Sequence, residues 1–252
     1  MWVIAKNALR ERIRRKELYI VVAVGILILL LCSSGTATIT MNGEQITSFD
    51  NMIVVMHTMV AAVGCLLAVV LGIRTIPNEY ERKDSHLVWV RGISQPVYHG
   101  GLALANMLSA MLATGILYLA LAVYIVANGR TDYLVRMLPA FLIVCIAVAT
   151  ASLFTSVLSI VFPAAVTGIL GILFALGGIL HGILDVYKNV AGGVAGTLLK
   201  GLLFVLPDMN GIQQQARRLM AQESVDVHLI LTGLLAIYVL SVGIMVFRRR
   251  EA

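Results

Sequence analysis

Charge is what this sequence lacks. Only 13% of its 252 residues are Asp, Glu, Lys or Arg, against about 25% in an ordinary soluble domain. Hydrophobic residues make up 60%, and the mean hydropathy is +0.93. That balance excludes a soluble globular domain and implies an integral membrane protein. Also missing is a GxxxxGK[ST] phosphate loop, so nucleotide hydrolysis by this chain is not expected. The HExxH zinc helix and the GxSxG nucleophile elbow are missing too. The five histidines, His57, His86, His99, His181 and His228, are scattered, whereas metal ligands cluster. Cysteine is scarce: Cys32, Cys65 and Cys145 lie within or at the edges of apolar runs, without a CxxC pair. They read as reduced packing residues. No catalytic residue, metal ligand or bound cofactor is therefore expected, and the chain reads as a non-enzyme. Small-residue cleavage signals are absent behind the basic N-terminus, so no cleavable signal peptide is expected.

What is abundant is long apolar runs. The expected architecture is one all-α membrane domain, residues 1–252, with six transmembrane helices at about 18–33, 51–73, 102–127, 137–161, 164–184 and 229–247. The spans approach or exceed the ~20 residues needed to cross a bilayer. Residues 1–17 place Trp2, Ala5, Leu9 and Ile13 on one helical stripe, with Lys6, Arg10 and Arg14 on the remaining face. This pattern predicts an amphipathic helix lying in the lipid interface. The segment 185–228 is expected to be external. Gly192, Gly193, Gly196 and Gly201 suit a re-entrant or short-helix hairpin between spans 5 and 6. Pro207 to Gly211 reads as a turn, and 212–222 as a short external amphipathic helix.

The net charge of +6 does not imply nucleic acid, because the cations flank the apolar runs. With six spans, one side holds Lys6, Arg10, Arg12, Arg14, Arg15, Lys16, Arg74, Arg82, Lys83, Arg91, Arg248, Arg249 and Arg250. The other holds Arg130, Arg136, Lys188, Lys200, Arg217 and Arg218. A seventh span through 190–206 would move the terminal arginine triplet to the poorer side. The positive-inside bias therefore favours six spans, with both termini cytoplasmic.

Few polar residues lie in the runs. His181 and Asp185 are four apart, so a continuous fifth span would put them on one face near its outer end, where a proton relay is conceivable. His57 is considered for the same role. Asn106 lies deeper, and an interhelical hydrogen bond suits it better than substrate binding. Ser152, Thr155, Ser156 and Ser159 recur at helical spacing in the fourth span. The third carries Ala105, Ser109 and Ala113, and the fifth carries Ala164 with Gly168 and Gly178 with Gly182. Small residues at this spacing permit close helix packing; a hydroxyl-lined pathway is the alternative for the fourth span.

One polar island interrupts the apolar chain: residues 74–101, RTIPNEYERKDSHLVWVRGISQPVYHGG. Its dense mixed charge and its aromatic Trp89 suit a rigid protein contact. The island resembles the loop between the second and third spans of type-2 (ABC-2) permeases of ATP-binding-cassette transporters. Glu79 and Glu81 match the acidic start and Leu87 to Val90 the hydrophobic stretch. Arg91-Gly92-Ile93-Ser94-Gln95 matches the turn, Tyr98 the aromatic, and Gly100-Gly101 the junction. Gly92, Gln95 and Gly101 depart from the usual Pro, Arg and Lys. The layout of the whole chain is similar as well, down to Leu206-Pro207 between the last two spans.

The resemblance implies a transmembrane subunit of an ATP-driven transporter, acting in export, in a prokaryotic cell membrane. It implies a second permease copy or paralogue and two separate ATP-binding subunits, which would hold ATP and Mg. The island would then be a coupling helix contacting the ATPase through Glu79, Glu81, Arg82, Asp84, Trp89 and Arg91. Two other classes remain open at this point: an ion-coupled secondary transporter, and an intramembrane enzyme or maturation factor using His57, His181 and Asp185.

Overall fold

The computed structural model describes residues 1–14, 23–25, 27, 40, 41, 44, 45, 49–81, 90, 92–191 and 193–247. The first expected span and Cys32 lie almost entirely outside these residues. So do Arg82, Asp84, Trp89 and Arg91 of the island.

The described architecture is helical. Helix α1 (Trp2–Arg14) is followed by a two-residue antiparallel pairing of β1 (Thr40–Met41) with β2 (Glu44–Gln45). The bundle comprises α2 (Phe49–Gly72), α3 (Thr75–Glu81), α4 (Gln95–Ala127), α5 (Asp132–Val161), α6 (Ala164–Ile179) and α10 (Val227–Val246). Between its last two members run α7 (His181–Val190), α8 (Gly193–Val205) and α9 (Met209–Met220). Four described helices are long and apolar enough to cross a membrane: Phe49–Glu81 as one unit, Gln95–Ala127, Asp132–Val161 and Val227–Val246. A bent pair, Ala164–Ile179 with His181–Lys188, raises the number to five.

α5 is the hub. α2, α4, α6, α9 and α10 all pack on it, and its face of Ala147, Ala151, Ser152, Thr155 and Ser159 is fully buried. The hydroxyls of that stripe do not line an open pathway. Thr155 donates to the Ala151 carbonyl, Ser156 to Ser152 and Ser159 to Ser156, each at 2.8 Å. Folding back on its own backbone lets a small polar residue sit at a close helix crossing without an unpaired hydroxyl proton. In contrast, α10 exposes Leu231, Leu235, Tyr238 and Val242. In an apolar chain of this kind, such a face meets lipid.

The turn predicted at Asn128-Gly129 closes α4 with a Schellman motif. Gly129 adopts φ +72°; its N–H bonds the Val126 carbonyl at 3.0 Å, and that of Arg130 bonds Ile125 at 3.1 Å. Arg130 then sits 3.2 Å from Asp50 and over the rings of Phe49 and Tyr133, forming a collar at this end of the bundle. Desolvation opposes the Arg130 charge, but Asp50, Asp132 and Tyr133 outweigh it and raise its pKa.

Three expectations are corrected between residues 164 and 228. The fifth helix does not reach 184: it stops at Ile179, and the chain bends by 72° at Leu180. His181 and Asp185 consequently begin a different helix from the span assumed to carry them. Second, α9 is no surface helix. Met209, Ile212, Gln213, Gln215, Ala216 and Met220 are all buried against α2, α5, α6 and α10. Gln213 reaches Cys65 at 3.6 Å, sixteen residues along α2 from Phe49, so about 24 Å in from that end. From there α9 runs back outward, until Arg136 holds the Met220 carbonyl at 3.2 Å. α9 therefore fills the column that the short α6 leaves vacant. Third, the stripe in α1 is not uniformly lipid-facing, because Ala5 is fully buried against the bundle.

Candidate functional site

The island is flanked by the two longest helices. Phe49–Glu81 and Gln95–Ala127 each span 33 residues, or about 50 Å, against a hydrocarbon core of about 30 Å. Both are longer than the hydrocarbon core alone requires. The Arg130–Asp50 collar lies at the end of the pair opposite the island. Gln95 starts α4 inside the predicted island because Pro96 suits the first helical turn, where its missing N–H costs nothing.

The ends that border the island are cross-tied. The Tyr98 hydroxyl donates to Glu79 Oε2 at 2.5 Å, and the Tyr80 hydroxyl lies 2.8 Å from His99 Nε2. Tyr98 and His99 are buried, and Glu79 is half-buried. Glu81, one turn-step further, is exposed at the end of α3. Two successive residues of α3 thus grip two successive residues of α4, which joins both borders of the island into one stalk.

Below the stalk lies a buried polar node, centred on Asn106. Its Nδ2 donates to Ser152 Oγ at 2.9 Å, and its Oδ1 accepts from Arg12 Nη1 at 2.9 Å. The second arm of the Arg12 guanidinium donates to Thr75 Oγ1. One planar fork therefore joins α1 to the foot of α3 and, through Asn106, to α4 and α5. Arg12 was read only as one of the cations on the cytoplasmic side; its position on the same helical face as Ile4, Ala5 and Ala8 turns it into the bundle.

Two glycines make the node possible. A Cβ at Gly72 would come within 2.7 Å of Asn106 Nδ2 and 2.9 Å of Thr155, so only glycine lets α2 pass there. At Gly101 a Cβ would stand 2.8 Å from the Ile4 Cβ and 3.1 Å from the Met1 carbonyl. The Gly100-Gly101 junction is thus the seat of α1, a role its position in the sequence did not disclose.

The other candidate residues fall in the opposite half of the bundle. His57 is fully buried, and its Nε2 lies 2.8 Å from the Tyr118 hydroxyl, while its Nδ1 has no hydrogen-bond partner among the described residues. Arg217 donates to Thr58 at 3.3 Å, next to His57 in sequence. His181 and Asp185 lie one turn apart on α7, and each also has another ionic neighbour. His181 Nδ1 stands 3.6 Å from Asp208, and Asp185 takes Lys188 at 2.5 Å. The bend at Leu180 accompanies the approach of His181 to Asp208, whereas Asp185 finds Lys188 within α7 itself. Asp208 was read only as part of a turn; it caps α9, accepting from the Gly211 N–H at 2.7 Å. An Asp three residues before a small residue is a recognisable cap signal, but nothing local placed the cap inside the bundle. No three His, Cys, Asp or Glu side chains among the described residues are grouped to hold a metal ion.

Tyr118→Phe tests the buried His57 contact. The Tyr118 ring also packs edge-on against Phe141, 5.1 Å away, and phenylalanine keeps that packing. Losing the hydroxyl strips His57 of its hydrogen bond, for a destabilisation of about 1–2 kcal/mol. Thermal unfolding of the detergent-purified variant checks this, and an unchanged midpoint would reject the contact.

No family model matches the sequence, and no curated protein matches it.

Proposed function

We propose that this chain is the transmembrane subunit of an ATP-driven transporter of the ABC-2 permease type, moving substrate through the cell membrane of a prokaryote. Two separate ATP-binding subunits supply hydrolysis, with ATP and Mg held there, and the permease works as a pair with a second copy or a paralogue. Both termini and the island face the cytoplasm, the first of six spans lies in 18–33, and export is the direction. The chain itself is not an enzyme.

The observation that carries this reading is the cross-tied stalk. A docking element transmits force only if both of its ends are joined to the membrane helices, and the Glu79–Tyr98 and Tyr80–His99 contacts join both borders of the island. The Arg12–Asn106–Ser152 chain then extends the connection from stalk to hub. In this mechanism ATP-driven closure of the partner displaces the stalk, and α4 and α5 shift as one body between two access states. A ligand biases such a two-state element only through contacts that differ between the states. Glu79, Glu81, Arg82, Asp84, Trp89 and Arg91 are assigned to the ATPase contact.

Replacing Glu79, Glu81, Arg82 and Asp84 together by alanine tests the assignment. The expected result is loss of copurifying ATP-binding subunit and of substrate-stimulated hydrolysis, with the permease still folded by its melting midpoint. Unchanged ATPase recovery and stimulation would refute the coupling role. If the wild-type chain copurifies with no ATP-binding subunit at all, the ion-coupled transporter becomes the better reading.

A further inference from the structure

Between the hub and the lipid-facing α10 is a cavity of about 580 Å³. Thr150 and Phe154 of α5 form its floor, Phe174 of α6 one wall, and Thr232 and Ala236 of α10 the other. The junction from α8 into α9 closes its remaining side and contributes one carboxylate, Asp208. Phe154 and Phe174 stack with centroids 3.6 Å apart. The volume falls within the few hundred to a thousand Å³ of small-molecule sites, and the arrangement of apolar walls with few polar groups is typical of them.

We infer that this cavity binds an amphiphile bearing a cationic amine head, with the head at Asp208 and the alkyl chain along Phe154 and Phe174. Charge complementarity is the argument. Asp208 precedes Met209, which packs against Gly178 within the bundle, and α9 reaches Cys65 one turn later. Asp208 is the one carboxylate among the residues lining this otherwise apolar cavity, and such a charge favours a matching cation. Its recorded partners, the Gly211 N–H at 2.7 Å and His181 Nδ1 at 3.6 Å, both meet Oδ1. Oδ2 has no hydrogen-bond partner among the described residues, and the side chain remains about one-third exposed, at 32%. The start of α9 offsets part of the negative charge, and an ammonium at Oδ2 pairs with the rest. The walls exclude an anion on the same grounds.

The occupant reaches the cavity from the bilayer. Its α10 wall belongs to the most exposed apolar helix of the bundle, and Phe204 at the rim is 93% exposed. A lipid-dissolved alkylamine needs no aqueous path to enter there.

The test uses the full chain in phosphatidylcholine nanodiscs, with equilibrium binding of radiolabelled dodecylammonium, dodecanol and dodecanoate. One charge-assisted hydrogen bond corresponds to at least about a tenfold preference for dodecylammonium over dodecanol. Asp208→Asn should bring dodecylammonium down to the dodecanol level, because asparagine still caps the helix but carries no charge. Ala236→Phe, which fills the cavity from α10, should weaken dodecylammonium and dodecanol alike. Equal binding of all three heads, or undiminished dodecylammonium binding in Asp208→Asn, would overturn the inference and leave a plain acyl-chain groove. Absence of saturable binding above that of protein-free nanodiscs would overturn it outright. If Asp208→Asn fails to fold, the head-group series on the unaltered chain decides. No ATP-binding subunit is needed for this measurement, so its failure and a failure of the proposed transport coupling are separate results.

Discussion

Gly72→Val is expected to lower the thermal midpoint of the purified protein by roughly 2–12 °C. The Cβ alone would stand 2.7 Å from Asn106 Nδ2 and 2.9 Å from a Thr155 methyl, and valine adds two methyl groups to that overlap. Neither neighbour can yield freely. Asn106 is held by Ser152 on one side and Arg12 on the other, and Thr155 is tied to its own helix at 2.8 Å. Overpacking of a close crossing costs about 1–3 kcal/mol. For a chain of this size, each kcal/mol corresponds to about 2–4 °C. The valine also forces α2 and α4 apart at the level where the stalk begins, so under the proposed transporter function ATPase coupling should fall along with stability. Gly72→Ala should lie between the two. A valine variant with the wild-type midpoint would show that α2 does not pass so close to Asn106.

Asn106→Leu is expected to cost about 2–4 kcal/mol. Leucine approximates the shape of asparagine but cannot accept from Arg12, and a hydrogen bond to a charged group contributes about 1.5–3 kcal/mol. The half-buried guanidinium keeps its contact with Thr75 but loses the one with Asn106, which adds a desolvation penalty. The decisive measurement is a double-mutant cycle with Arg12→Met, which keeps the apolar stem of the side chain on the bundle. If the two residues act through the 2.9 Å bond between them, the second substitution should cost at least about 1 kcal/mol less in the presence of the first. Additive costs within about 0.5 kcal/mol would remove Arg12 from the node and leave Asn106 as a purely α4–α5 contact. Under the proposed transporter function, the same cycle read on ATPase stimulation separates a connection between α1 and the stalk from simple stability.

How much of this was legible can be argued residue by residue. The apolar runs around α2, α4, α5 and α10 were visible because a bilayer imposes a length and a composition that few other environments do. Their ends were less so. α4 begins at Gln95 rather than 102, since a helix continues into water wherever neighbouring side chains hold it, and Tyr98 and His99 are held by α3. Asn106 was legible as an interhelical donor because an amide in an apolar helix must find a partner. Its partner Arg12 was not, because a cation in an amphipathic helix normally turns to headgroups and water.

The sequence by itself determined that this is a helical membrane protein, where its long apolar helices run, and which residues form its one charged island. Those properties follow from local composition and period, which each segment carries independently of the others. Only the tertiary structure decided that Arg12 points inward, that His181 meets Asp208, and that α9 is buried. Each of these depends on contacts between residues far apart in the chain, such as Arg12 with Asn106, Gln213 with Cys65, and Gly72 beneath Asn106. A packed interior chooses such partners by shape and by the cost of leaving a polar group unpaired, and neither quantity exists until the helices meet.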